Sequence, residues 1–467
     1  MKLKIIFVLL TLITAIHLFA QSAQRDEERF FYGSNVDKDF EVANTAKSFS
    51  NKGIQYGAIL SPIYILDDSD EVYDSWGSLT GGGRLSSYIL NAKVWGKVYL
   101  WDNSFFYIRG KNSYLGIISK KGIYDNDYYK SDNLLDLDLS YLSMSFKNLN
   151  ISAGRNYYTV GTGLVLNGRG DGGEIAWNSS FLSINLLGLY TGLLIKDDNP
   201  YKLSDIDVAD GAKRGFAGGT VSAFFYNQKL YLFGLVQRDF ADEDDPSSKK
   251  RYNSEYYGAG LDGVLFSNMS YYAEFVYETG KSYAYGDTKK YNISAYAINS
   301  GIYYYIPVVF SPALIFQYSF GSGDKYRSQY SGSLRDYGSG DDKGFIPFGT
   351  FNGGYALKPN LGNMHIIRGG FSFAPFKAMS LGAKYLYYLK DKKEAHVNAG
   401  EARVPEKFVG QGIDVSFRWQ IFYDLSMYVN YGLFLPGDAY DEDGFYYWLP
   451  ESKKARNFVM AGVNFSI

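Results

Sequence analysis

Asn457-Phe-Val-Met-Ala-Gly-Val-Asn-Phe-Ser-Ile467 decides the architecture. Val459, Ala461, Val463, Phe465 and Ile467 fall on one side of an extended chain, and Gly462, Asn464 and Ser466 on the other. A period of two with one wholly apolar side is the pattern of a strand set between lipid and a polar interior. It predicts a transmembrane barrel whose last strand closes against its first.

The same alternation recurs from residue 53 onward in about 18 runs, among them 85–101, 104–118, 149–158, 171–178 and 457–467. Tight connections at Asp102-Asn103, Lys147-Asn148, Asn227-Gln228 and Ser267-Asn268-Met269 alternate with long polar ones. Short periplasmic turns and longer external loops alternate in this way in outer-membrane barrels. The predicted fold is all-β, a transmembrane antiparallel up-and-down β-barrel of about 18 strands over residues 53–467 with long extracellular loops. With the last strand descending to the periplasm, the long loops are expected outside, including Gly321 to Asn363.

Residues 1–20 carry Lys2 and Lys4, an apolar run from Ile5 to Ala15 and a small residue at Ala20, the pattern of a secretion signal. The run is shorter than the roughly 20 residues that a membrane-spanning helix needs. Residues 21–52 carry mixed charge and are expected to form a periplasmic segment or a small plug. Without the two signal lysines, 45 basic residues face 49 acidic ones, a formal charge of −4 that argues against a nucleic-acid partner. There is no Cys, which excludes disulfides and thiolate metal sites. The 45 Tyr, 33 Phe and 51 Gly against 11 Pro suit many strands with aromatic girdles. A soluble sandwich seldom needs so many strands, and no blade-length repeat supports a propeller.

Strand parity assigns an interior face. In 85–101, Tyr88, Leu90, Ala92, Val94, Val98 and Leu100 share one side, which leaves Asn91, Lys93, Trp95, Lys97 and Tyr99 on the other. The same reasoning turns Arg109, Lys111, Asp136, Asp138, Asp262, Glu274, Glu278, Arg368, Lys384, Asp414 and Arg418 inward. A charge on the lipid face near the midplane would cost about 2–4 kcal/mol. Opposed basic and acidic residues, here in similar numbers, predict a transverse field and a hydrated path for polar solutes. Trp95 and Tyr99 offer flat faces to sugar rings.

Gly161-Thr-Gly-Leu-Val-Leu-Asn-Gly168-Arg-Gly-Asp-Gly-Gly173 is read as a connection, a pore constriction or inward-folded loop that brings Arg169 and Asp171 to the path. It lacks the Gly-Lys-Ser/Thr ending of a phosphate-binding loop, and Arg169-Gly170-Asp171 as an adhesion triplet is the weaker reading. His365 and His396 are the two His beyond residue 20. A triad through His365 lacks any Ser-centred motif, so an interfacial His is favoured. Asp239-Phe-Ala-Asp-Glu-Asp-Asp245 lacks the spacing and Gly of a calcium loop and reads as a solvated external loop. No metal, cofactor or enzymatic activity is expected.

Three stretches carry a family likeness. They are Val409-Gly-Gln-Gly-Ile-Asp-Val-Ser-Phe417 followed by Leu425-Ser-Met-Tyr-Val-Asn-Tyr-Gly-Leu-Phe-Leu-Pro-Gly437, Leu139-Ser-Tyr-Leu142 leading to Gly154-Arg155, and Glu274-Phe-Val-Tyr-Glu-Thr-Gly280 leading to Phe316-Gln-Tyr-Ser-Phe-Gly-Ser-Gly-Asp324. In these the chain resembles the outer-membrane alginate export family, from about Leu135 to Ile467. The resemblance implies an 18-stranded monomeric barrel that exports an anionic polysaccharide through a basic constriction, with Arg155 the position carried over most directly. The near balance of acidic and basic residues expected in the lumen departs from that pattern, since it weakens attraction of a polyuronate. The expected function is an outer-membrane channel for polar or anionic solutes, with an exopolysaccharide resembling alginate as the narrower candidate. A plugged surface barrel acting through its loops is the alternative. The expected partners are outer-membrane lipid, lipopolysaccharide and the solute.

Overall fold

The computed structural model describes residues 53–73, 79–101, 103–121, 131–193, 203, 207, 211–240, 251–283, 289–327, 338–349, 351–376, 378–397, 402–440 and 454–467. The expectations for residues 1–52, and for the acidic loop beyond Phe240, lie outside the described residues.

Eighteen strands follow one another: β1 (Ile54–Tyr73), β2 (Leu79–Trp101), β3 (Ser104–Lys121), β4 (Ser131–Phe146), β5 (Leu149–Val160), β6 (Leu166–Asn178), β7 (Leu182–Tyr190), β8 (Arg214–Phe225) and β9 (Gln228–Asp239). The second half comprises β10 (Asn253–Phe266), β11 (Met269–Tyr283), β12 (Lys290–Tyr305), β13 (Ala313–Gly321), β14 (Met364–Phe376), β15 (Met379–Lys390), β16 (Phe408–Phe422), β17 (Leu425–Pro436) and β18 (Arg456–Ser466). Each pairs antiparallel with the next, and β18 returns to β1. Ile63 lies opposite Gly462 and Tyr64 opposite Ala461. The seam is completed by Ala58 and Ile467, whose backbones exchange hydrogen bonds of 3.0 and 2.9 Å. Closure leaves no strand edge, which is what a sheet in hydrocarbon requires.

The alternation reads as expected. Tyr88, Leu90, Val94, Val98 and Leu100 are exposed on the outer wall, Val94 to 67%. Their alternates Ser87 and Lys93 are buried inside. The tight turns after β2, β4 and β8 use left-handed residues at Asn103, Lys147 and Tyr226, with φ of 59°, 42° and 52°, as short hairpins demand.

Two loop expectations are corrected. Residues 166–170 are not part of a connection, because β6 begins at Leu166, ahead of the run expected from 171, and only 161–165 form the turn. The segment Gly321–Asn363 is not wholly external. Phe345, Ile346, Phe348, Tyr355, Ala356, Leu357 and Leu361 are buried in one cluster with inner-wall residues such as Tyr158, Phe216, Tyr256, Val276 and Ile293. The physical reason lies in Phe345-Ile-Pro-Phe348, an apolar run inside a Gly/Ser/Asp-rich loop. It gains about 1.5–3 kcal/mol per fully buried large side chain by turning into the barrel.

Candidate functional site

The interior has two unlike walls. Along β2 to β6 the described inward side chains include Lys93, Lys97, Arg109, Lys111, Arg155 and Arg169, six cations, against Asp136, Asp138, Asp171 and Glu174, four carboxylates. Arg109 Nε lies 2.5 Å from Asp138 Oδ2, and Arg169 Nη1 lies 2.5 Å from Asp138 Oδ1 and 2.9 Å from Asp136 Oδ2. Arg155 grips Asp171 with two parallel bonds of 2.8 and 2.7 Å, donates to the Leu137 carbonyl at 3.1 Å and reaches Asp136 at 3.6 Å. Bidentate pairing of this kind fixes direction as well as charge. A register shift between Arg109 and Gly110 lets the β3–β4 pair carry these groups side by side.

Gly154 prepares Arg155. Its φ of +128° suits glycine, and a Cβ there would stand 2.2 Å from the Ser140 carbonyl oxygen. The Gly-Arg pair is therefore a backbone requirement followed by the charge it positions.

The facing wall is covered by chain. The β5–β6 turn leans across the lumen to β11, where Glu274 accepts the Thr162 N–H at 2.7 Å, the Thr162 hydroxyl at 2.8 Å and the Tyr231 hydroxyl at 2.8 Å. Four residues along the same face of β11, Glu278 accepts the Ile346 N–H at 3.0 Å and the Tyr252 hydroxyl at 2.5 Å. Asp414 on β16 accepts the Tyr355 N–H at 3.2 Å, and Arg368 on β14 donates to the Asn352 carbonyl at 3.0 Å. Lys384 on β15 donates to Gln317 at 3.3 Å. The two inserted segments also meet each other. The Phe348 and Gly349 N–H groups donate to the Val165 and Leu164 carbonyls, both at 3.1 Å, and a Cβ at Gly349 would stand 1.8 Å from the Gly163 oxygen. Phe348 packs edge-on to Phe216 with ring centroids 5.4 Å apart.

Outside the strands, Arg327 pairs with Asp342 at 3.1 Å and donates to the Gly344 carbonyl at 2.8 Å. Burial opposes its charge, but Asp342, Tyr252 and Glu278 hold the guanidinium protonated above its ordinary range. The His396 N–H donates to the Arg327 carbonyl at 3.1 Å. Burial, reinforced by Arg403 and Lys390, pushes the His396 imidazole down to about 4.

The sixteen residues expected along the path thus divide. Arg109, Asp136, Asp138, Arg155, Arg169 and Asp171 form one ion-pair network, with Lys93 and Lys111 paired opposite each other across β2 and β3. Glu274, Glu278, Arg368 and Asp414 bind inserted loop, and Lys384 reaches over β14 to Gln317 on β13. Lys97 and Arg418 are partly exposed. Asp262 is partly exposed beside Lys229 at 3.4 Å. Both signs stand on both walls: β2 to β6 carry a cationic excess, and the other wall holds Arg214, Arg368 and Lys384 beside Asp239, Glu274, Glu278 and Asp414. Parity missed Thr162, Ile346 and Tyr355, which act through backbone N–H groups that carry no residue signature. The apolar Phe345–Phe348 run was the available signal. His365 lies on the outer face, its Nδ1 2.9 Å from the Tyr318 hydroxyl and its ring 4.4 Å from that of Phe320, an interfacial setting.

A closed 18-stranded antiparallel barrel with an apolar outer belt and a charged, loop-narrowed interior is an outer-membrane β-barrel channel, and its place is the bacterial outer membrane. Residues 228–447 match the family model described as alginate export. Over that stretch the likeness read from the sequence is borne out, while the Gly154-Arg155 motif lies outside it. Similar solved structures include OccK7 (OpdD) of Pseudomonas aeruginosa, with a TM-score of 0.55 at 10% identity, covering 89% of this chain and 99% of that one. The outer membrane protein OpdK of Pseudomonas aeruginosa scores 0.54 at 9% identity, covering 90% of this chain and 100% of that one. A BenF-like porin from Pseudomonas fluorescens Pf-5 scores 0.51 at 9% identity, covering 89% and 99%. These likenesses establish the fold. No curated protein matches the chain.

Proposed function

We propose that this channel passes anionic solutes, an exopolysaccharide of the uronate kind being the narrower candidate, as a monomer and without cofactor or catalytic step. The observation that carries the reading is the cationic excess on β2 to β6, facing a wall covered by inserted loop. A carboxylate that has shed part of its hydration exchanges water for the Arg and Lys donors on that wall. The three aspartates keep those cations from binding it too tightly to leave, the balance that conduction needs. The alginate export match over residues 228–447 agrees with this solute class.

The test is planar-bilayer conductance of the refolded protein under a salt gradient, with titration by a polyuronate and by a neutral oligosaccharide. An anion-selective reversal potential with block by the polyuronate is expected. Cation selectivity, or equal block by both, overturns the anionic reading, and a folded but silent barrel supports the plugged alternative.

A further inference from the structure

Below the ion-pair network, toward the tight turns at 102–103 and 147–148, the same wall turns aromatic. Trp95 and Tyr99 on β2, Phe105 and Tyr107 on β3 and Tyr141 on β4 share the inner face, since Tyr99 is paired with Phe105, and Tyr107 with both Lys97 and Tyr141. Their rings run as one sheet of contacts. Trp95 stacks on Tyr107 at 6.0 Å and 22°, Tyr107 meets Tyr141 at 5.4 Å, Tyr141 meets Phe105 at 6.1 Å and Phe105 meets Tyr99 at 6.2 Å.

Three features separate this patch from ordinary packing. None of the five belongs to the packed interior cluster that the inserted loops form. Trp95, Phe105 and Tyr141 are only half-buried and Tyr99 is 40% exposed, on a face where no lipid headgroup can account for aromatic residues. Lys97 holds its ammonium 3.9 Å from the Phe105 centroid and 4.7 Å from that of Tyr99. Unlike Arg109, Arg155 and Arg169, it has no ion pair among the described residues. The wall therefore presents exposed ring faces, an ammonium not neutralised by a carboxylate, and then the network of Arg109 and its neighbours as the next step outward.

We propose that Trp95, Lys97, Tyr99, Phe105 and Tyr141, backed by the buried Tyr107, form a sugar-binding subsite at the periplasmic end of the pore. It takes the apolar C–H face of a pyranose ring on the aromatic sheet and the ring's carboxylate on Lys97. This deepens the channel reading and rests on it, naming a uronic-acid glycan as the ligand and the periplasmic side as its entry. Flat amphipathic rings suit such a ligand because their own position costs little conformational entropy.

The test uses the full chain in planar bilayers, with tetragalacturonate and maltotetraose as probes, and calorimetry of the same probes against the detergent-solubilised barrel. Wild-type protein should bind and be blocked by tetragalacturonate more readily from the periplasmic side. The double variant W95L/Y99L, checked for folding by heat-modifiable gel mobility, should bind it about tenfold more weakly. K97Q should lose the preference for tetragalacturonate over maltotetraose. Unchanged binding in folded W95L/Y99L overturns the subsite, as does a conducting wild type that neither probe binds. A wild type that is silent in bilayers yet binds tetragalacturonate, with loss in W95L/Y99L, overturns the transport reading and leaves the subsite standing.

Discussion

The β2–β6 wall and the wall of β8 to β13 are built from the same alternating strands, and both hold ion pairs, among them Arg214 with Asp239 on the second, yet the glutamates of β11 meet partners unlike those of the aspartates on β4 and β6. On the first, charges find one another: Asp138 is held by two arginines and Arg155 closes on Asp171. On the second, Glu274 and Glu278 find backbone N–H groups of inserted chain, and aromatic residues complete a packed interior. The difference teaches that a lumen-facing carboxylate has no fixed role. Its role depends on whether the group that arrives to satisfy it is a side-chain cation or a loop. Buried carboxylates must be satisfied either way, because an unpaired one is costly.

The sharpest way to break the contrast is to remove the shared anion of the charged wall. Asp138→Ala leaves Arg109 and Arg169 buried without it and should cost about 3–5 kcal/mol. Thermal unfolding in detergent should register the loss, and the reversal potential should move further toward anions. An unchanged reversal potential would mean that the network lies off the conduction path.

On the covered wall, Phe348→Ala should weaken docking of the inserted loop by about 3 kcal/mol, because Phe216, Tyr252 and Tyr256 all pack on that ring. Single-channel conductance should rise as the loop departs. A conductance equal to that of the wild type would show that the loop does not narrow the pore.

Acid should act on the covered side through His396. Its folded pKa of about 4 lies below the ordinary imidazole value of about 6.5, so the undocked loop takes up a proton first as pH falls. Docking is intact above pH 7, weakens by about 2 kcal/mol near pH 5 and stops falling below pH 4. Hydrogen exchange of residues 391–397 should quicken between pH 7 and 5, and His396→Gln should abolish that dependence.

The smallest effect belongs to the partly exposed pair Lys229 and Asp262. Asp262→Asn should change the melting temperature by an amount equivalent to less than about 1 kcal/mol. A loss comparable to that of Asp138→Ala would erase the distinction between the hydrated and the covered parts of the lumen.

Much of this was legible in the chain. The apolar alternation of Val459, Ala461, Val463 and Phe465 fixed the outward face of β18, and the tight turns fixed the count. Parity sent Arg109, Asp138, Glu274 and Asp414 inward. It failed at Leu166–Gly170, where a glycine-rich stretch resembles a loop although cross-strand pairing holds it as β6. It failed again at residues 341–363, where polar neighbours mask the four residues that draw the loop inside.

The sequence by itself determined the barrel, its strand number and the sidedness of nearly every strand, because a period of two and the polarity of lipid are local constraints that each residue meets alone. Only the tertiary structure decided which inward charge is paired and which is capped by a loop. Thr162 meets Glu274 from 112 positions away, and no local pattern records a partner that arrives only when the barrel closes around it.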